Sequence, residues 1–283
     1  MTLYLGVDGG GSGCRAAVAD AAGRVLGRGA AAAANIWTDP EGARASILAA
    51  AREALAAAAP DAGPGDLVAA LGLAGANVAG AAERLAPELP FARVRIESDA
   101  VVALKGALGD DDGITAAIGT GSVFGVQRGG IERMIGGWGF QLGDHGSGAV
   151  IGRGLCVEAL LAHDGEAEAT PVLARLLAEH GGPAGIVAWG GAAAPRDFAR
   201  LVPRVLDAAG EGDPAASAIL ARAEADVARA IDRLMADGAL PVAFLGGLGP
   251  VFAARLAARF GGLIRPPKGS GLDGALRLAR ELG

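Results

Sequence analysis

The residues of this 283-residue chain best suited to chemistry are aspartates that end short apolar runs beside glycine-rich turns. Residues 3–7 lead into Asp8, and glycines 9, 10, 11 and 13 follow with Ser12 among them. Residues 14–19 resume an apolar run, so the stretch reads as strand, tight turn, strand. Glycine lets backbone N–H groups come close to a ligand. Successive N–H groups in such a turn form a concavity that suits an anion, here cradled by Gly10, Gly11 and Ser12. An aspartate beside that cradle suits Mg²⁺, a hard cation that takes oxygen ligands and keeps several waters. A hairpin turn requires only one or two glycines. Four of them beside an acid favour a phosphate loop, although the pattern is neither GxxxxGK[ST] nor a GxGxxG that opens a helix.

Two further glycine turns follow apolar runs. Residues 114–118 read as a strand, and Gly119-Thr120-Gly121-Ser122 follows, with strands expected over 123–127 and 132–135. A strand over 241–245 ends in Gly246-Gly247-Leu248-Gly249-Pro250. Elsewhere, a strand over 93–97 hands over to a helix at Ser98-Asp99. There a carboxylate could serve as a base or, like Ser98, simply cap the helix. Asn35 sits in a loop before a helix over 41–58, which Thr38 or Asp39 would cap. Residues 136–148 form a glycine-rich loop carrying Trp138, Gly139, Asp144 and His145.

The elements that must position these groups make an α/β fold. Three strands are followed by alternating helices and strands, with a helix expected over 78–85. After Asp110-Asp111-Asp112-Gly113, read as a solvated boundary, the strand–turn–strand device recurs. The repetition implies a duplicated fold with mixed sheets and a ligand cleft between the halves. Residues 169–237 read as mostly helical, with breaks at Gly181-Gly182-Pro183, Gly190-Gly191 and 210–214. A helix over 251–259 and a last one over 275–282 close the chain.

Composition narrows the class. The chain is 52% hydrophobic, enough for a sizeable core, and its net charge of −6 comes without a basic stripe, which argues against a nucleic-acid partner. Its two cysteines, Cys14 and Cys156, lie far apart with no CxxC, so they read as inert thiols rather than a metal or redox pair. Asp8 interrupts the one apolar run near the N-terminus, and no uncharged stretch is long enough to span a bilayer. A cytoplasmic protein without a membrane partner is expected.

Three glycine turns, two at the leading hairpins of the halves and one before a late helix, resemble the layout of the actin-like ATPase superfamily. LGVDGGGSGCR, IGTGSV, GGWGFQLGDHGSG and the late SGLDGA are similar to the N-acetylglucosamine kinase branch of the BadF/BadG/BcrA/BcrD ATPase family, nearly end to end. The resemblance implies two actin-like (ribonuclease H-like) domains. Residues 1–109 with the final helix 272–283 would bind sugar and phosphate. Residues 110–271 would bind nucleotide and dimerise. It implies ATP as co-substrate with Mg²⁺ held through water by Asp8. Gly10, Gly11 and Ser12 would join Thr120, Gly121 and Ser122 on the phosphates, with Gly246 and Gly247 on the adenosine. Asp99 falls at the catalytic base, and Asn35, Trp138, Gly139 and Asp144 at the sugar-binding positions.

The implied reaction is transfer of the γ-phosphoryl group to the 6-hydroxyl of N-acetylglucosamine. Glucosamine is the alternative, since an acetyl pocket is not legible in sequence. His145 stands where relatives often carry an acid. A dehydratase or reductase activator, the other activity in the family, needs closely placed cysteine ligands for an iron–sulfur cluster. Cys14 and Cys156 do not form such a set. A non-catalytic sugar sensor is disfavoured by the intact Asp8 and Asp99. A homodimer is implied by the resemblance alone.

Overall fold

The computed structural model describes residues 2–283. The chain divides into two compact units: residues 1–113, 125–132 and 266–283 form the first, and residues 114–124 and 133–265 the second.

The first unit begins with strands β1 (Leu3–Gly9), β2 (Cys14–Ala19) and β3 (Val25–Ala31), then helix α1 (Pro40–Ala58), β4 (Leu67–Leu73), the short α2 (Ala81–Leu85), β5 (Arg93–Ser98) and α3 (Asp99–Leu108). Its sheet has the order β3-β2-β1-β4-β5. β1 runs antiparallel to β2 and parallel to β4, and β4 runs parallel to β5, so the sheet is mixed. Side chains alternate across a strand. Leu3, Leu5 and Val7 accordingly join Ile47 and Ala50 of α1 in one core cluster. Tyr4, on the other face, joins Val102 of α3 and residues 275, 278 and 279. Helices on both faces explain why β4 is buried along its whole length.

The remaining elements are β6 (Gly113–Ile118), β7 (Ser122–Arg128), β8 (Ile131–Gly136), α4 (Gly148–Asp164), α5 (Pro171–Glu179), α6 (Pro183–Ala192), α7 (Pro195–Ala199), α8 (Val202–Gly210), α9 (Pro214–Leu234), β9 (Val242–Leu245), α10 (Gly249–Arg255), α11 (Ala257–Phe260) and α12 (Gly271–Glu281). The second sheet has the order β8-β7-β6-β9, and β9 runs parallel to β6 with Val242 opposite Ile114. Both sheets thus place a three-stranded leading segment beside a later parallel strand.

Four expected boundaries are corrected. The helix expected over 78–85 begins only at Ala81, because Gly80 before it takes a left-handed conformation. Gly190 and Gly191 lie inside α6 instead of breaking it; the helix ends at Ala192, ahead of Pro195. The helix expected over 251–259 is divided at Leu256. The last helix starts at Gly271, four residues earlier than expected. Ser270 and Asp273 form a reciprocal capping box there, which outweighs the low helix propensity of the glycines around it.

Those glycines have a packing role. A Cβ on Gly106 of α3 would lie 1.8 Å from the Ser270 carbonyl oxygen, and one on Gly274 of α12 would lie 2.0 Å from the Val102 carbonyl oxygen. Only bare backbone lets α3 and α12 approach this closely. This crossing fixes the helix that begins with Asp99.

Candidate functional site

In the first unit the candidate residues gather at the C-terminal ends of the parallel strands, where open α/β sheets place ligands. Asp8 pairs in register with Gly72 of β4, and Leu73 with Ser98 of β5. Asp8 is therefore at the same sheet end as Asp99. Ser98 is extended and caps α3, its Oγ accepting from the Val101 N–H at 3.3 Å. Asp99 is the first helical residue, and its Oδ1 accepts from the Ala100 N–H at 2.9 Å. The cap is thus supplied by Ser98. Burial pushes the Asp99 carboxyl above its usual value, and the negative charge of Asp8 raises it further against the backbone hydrogen bonds.

Asp8 is mostly buried and accepts from Arg15 Nη2 at 2.6 Å. Arg15 sits directly opposite on β2, a partner that the sequence reading overlooked although cross-strand register predicts it. In the turn that follows, the Gly10 N–H donates to the Gly13 carbonyl at 2.9 Å, and the Gly10 carbonyl accepts from Ala34 N–H. Ser12 is exposed. Gly11 has no positive φ, and a Cβ there would meet nothing within 4 Å. The fold does not require glycine at that position; what glycine leaves is uncovered backbone.

Asn35 lies beside this turn, bridged to Ala74 at the end of β4. Its Oδ1 accepts from the Trp37 N–H at 3.0 Å and the Thr38 N–H at 3.1 Å, and its Nδ2 donors are not used in that turn. Asp39, one of the two expected caps, caps α1 through the Gly42 N–H.

The second unit brings together its own set. The turn between β6 and β7 closes with the Gly119 N–H on the Gly121 carbonyl at 2.9 Å, leaving Thr120 exposed. Ser122 is buried, and its hydroxyl donates to the His145 carbonyl at 2.8 Å. The Gly148 N–H returns to the Gly119 carbonyl at 2.8 Å and the Ala149 N–H to the Thr120 carbonyl at 3.1 Å. The turn and the loop over 136–147 are therefore laced into one assembly. Asp144 links them: its carboxylate accepts from the Gly139 N–H at 3.3 Å and from the Ser122 N–H. Its φ of 55° is left-handed, the one non-glycine residue so placed among the described residues. Burial holds its carboxyl above the usual value, against the pull of those N–H donors. Gly246, also left-handed, begins the third turn, and the Leu248 N–H donates to the Ile118 carbonyl at 3.0 Å. The turn carrying Gly246 and Gly247 thus abuts the strand end that leads into Gly119.

Trp138 is 73% exposed. Phe140, two residues on, anchors the loop: its ring lies 5.1 Å from that of Phe198, with the Arg153 guanidinium 4.9 Å from its centre. Nothing in the local sequence singled out Phe140, because its partners come from α4 and α7. The two thiols are buried, which pushes Cys14 up to about 12 and Cys156 up to about 11. Both are protonated and unreactive at neutral pH.

The model of the BadF/BadG/BcrA/BcrD ATPase family matches residues 5–249. Glucosamine kinase GspK of Vibrio cholerae serotype O1 is 32% identical over 283 residues, covering 99% of this chain and 96% of the relative. A crystal structure from Chromobacterium violaceum, described as a candidate N-acetylglucosamine kinase, is 34% identical with a TM-score of 0.87 over 99% of both chains. A ROK family glucokinase from Streptomyces griseus, solved with glucose and AMPPNP, shares the fold at 20% identity, with a TM-score of 0.53 over 99% of both chains. The expected actin-like α/β architecture is borne out.

Proposed function

The chain belongs to the BadF/BadG/BcrA/BcrD ATPase family, and from that premise we propose that it is an ATP-dependent amino-sugar kinase acting on the 6-hydroxyl of glucosamine. The similarity to a glucosamine kinase supports reading the free amine first. N-acetylglucosamine, the acceptor expected from sequence, is kept as a second reading by the similarity to the Chromobacterium violaceum protein.

The observation that carries the mechanism is Asp99. It is a carboxylate at the ligand-binding end of its sheet, relieved of capping by Ser98 and made more basic by burial. In the proposed reaction the acceptor hydroxyl oxygen attacks the γ-phosphorus of ATP. Its proton passes to an Asp99 oxygen, and the bond from the γ-phosphorus to the leaving oxygen of ADP breaks. Little covalent chemistry falls to the protein, so positioning and charge stabilisation dominate. The backbone N–H groups of Gly11 and Ser12 and those of Thr120 and Gly121 are assigned to the phosphates, with Gly10 holding its turn through the Gly13 carbonyl. Ser122 shapes that turn through both its groups, its hydroxyl on the His145 carbonyl and its N–H on the Asp144 carboxylate. Gly246 and Gly247 are assigned to the adenosine. Asn35 Nδ2, the Gly139 backbone, Trp138 and Asp144 are assigned to the sugar.

Among the described residues no three or more His, Cys, Asp or Glu side chains gather as a metal site. The single carboxylate of Asp8, mostly buried beside the glycine turn, suits Mg²⁺ that would be held with water and nucleotide oxygens, as this ion prefers. When bound, Mg²⁺ supplies charge neutralisation at the phosphates.

Asp99→Asn tests the reading. Sugar binding should persist while turnover falls by about 10²–10⁴-fold, the usual contribution of a general base. Near-normal turnover would remove Asp99 from the mechanism.

A further inference from the structure

The second unit holds a cleft of about 680 Å³, lined by the first part of α5, by α8 and by the turn before α9, and none of its residues belongs to the candidate site. That volume suits a small metabolite. Its charges are sorted by sign. Arg175 of α5 and Arg204 of α8 both pair with Glu179 at the C-terminal end of α5, so two guanidinium groups share one carboxylate. From there α8 runs back along α5, with Asp207 and Glu211 following Arg204 on one helix face. Helix rise puts Glu211 about 10 Å beyond Arg204. Asp207, Glu211 and Glu168 make no ion pair among the described residues, whereas Asp213 is committed to capping α9 through the Ala216 N–H at 3.0 Å. Thr170 lines the carboxylate end. It is 4% exposed and makes no capping bond at the start of α5, and its Oγ1 is the one buried side-chain polar atom without a partner among the described residues. A buried hydroxyl left unpaired is costly and calls for a partner that the chain itself does not supply.

We propose that this cleft binds a small zwitterion, a phosphate ester that also carries an ammonium group, and that the ligand is the amino-sugar phosphate the enzyme itself makes. The identity of the ligand rests on the amino-sugar reading above and deepens it. The phosphate lies on Arg175 and Arg204, whose planar forks match phosphate oxygens. Glu179 takes only Nε of Arg175 and Nη1 of Arg204, which leaves further N–H donors on both. The ammonium lies on Asp207 and Glu211, and the ring hydroxyls face Thr170. A sugar phosphate without the amine meets the same carboxylates with nothing to offset them. Both charges are needed on one ligand, at about the separation that a sugar ring provides.

The test is calorimetric titration of the full-length wild type, Arg204→Gln and Glu211→Gln with glucosamine 6-phosphate and with glucose 6-phosphate. Arg204→Gln should weaken binding of both phosphates about tenfold, the usual loss with a charge-assisted hydrogen bond. Glu211→Gln should weaken glucosamine 6-phosphate by a similar factor and leave glucose 6-phosphate no weaker. The KM for glucosamine, kcat and the melting temperature should be unchanged in both variants. Thr170→Val should melt at the wild-type temperature or higher and still bind the amino-sugar phosphate less well; a lower melting temperature would strike Thr170 from the site. Binding that survives unchanged in both charge variants belongs to the active site alone and overturns the cleft. Equal wild-type affinity for the two phosphates overturns its ammonium end. Wild-type enzyme that turns over no glucosamine overturns the amino-sugar reading and the identity of the ligand as product, whereas the response of the variants judges the cleft separately.

Discussion

Asp99 carries the heaviest demand of any single residue, because it must be ionised to accept a proton and yet sits where ionisation is disfavoured. Its carboxyl is held above the usual carboxylate value by burial and by the charge of Asp8. The base is lost as pH falls through that raised value. The acidic limb of kcat/KM should therefore lie above the ordinary carboxylate range, and a limb within that range would contradict the assignment. The stability consequence has the opposite sense. A carboxyl whose folded value exceeds its unfolded one favours the folded state only while protonated; that contribution is present at low pH and lost as pH rises through the folded value. At neutral pH, Asp99→Asn should melt at the same temperature as wild type or higher, even as turnover collapses. A lower melting temperature would mean that Asp99 is structural. Sequence alone left Ser98 and Asp99 as competing caps, because spacing does not reveal which oxygen meets the Val101 N–H. Asp144 was legible as a candidate, but its left-handed backbone and its link to the Ser122 N–H were not, since both depend on how two distant segments meet. Arg15 was overlooked, although its ion pair with Asp8 follows from cross-strand register.

At the level of elements, the strands over 3–8, 14–19 and 93–97 of the first sheet were readable to within a residue, because apolar runs bounded by glycine, proline and aspartate leave few alternatives. The glycine-containing helices were less readable. Low helix propensity argued against a helix through Gly271 and Gly274, yet the capping box and the close crossing with α3 decide otherwise. That crossing gives a sharp prediction. Gly274→Ala forces a methyl group against the Val102 carbonyl, so it should cost about 1–3 kcal/mol or more. The cost should appear as a lower melting temperature with a parallel loss of turnover, because α3 carries Asp99. Wild-type stability in that variant would show that the two helices can separate without consequence. Gly11→Ala, where nothing stands within 4 Å, should instead leave the fold intact and impair nucleotide binding, read as a raised KM for ATP at an unchanged melting temperature.

For the whole molecule, the three glycine turns and the GGWG and GDHGS segments were enough to identify the family, because their order along the chain is more restrictive than any one of them. The two sheets, each a leading three-stranded segment beside a later parallel strand, bear out the duplicated α/β fold. The acceptor was not legible, since a carbon-2 substituent is read by side chains whose arrangement is tertiary. No helix among the described residues is long and apolar enough to cross a membrane. The central claim, an amino-sugar kinase, is tested most directly by ADP release from Mg-ATP with glucosamine, N-acetylglucosamine, N-acetylmannosamine, glucose or no sugar. The account predicts release that depends on sugar and is fastest with glucosamine. Equal release in every tube, including the one without sugar, would contradict it and identify a plain ATPase.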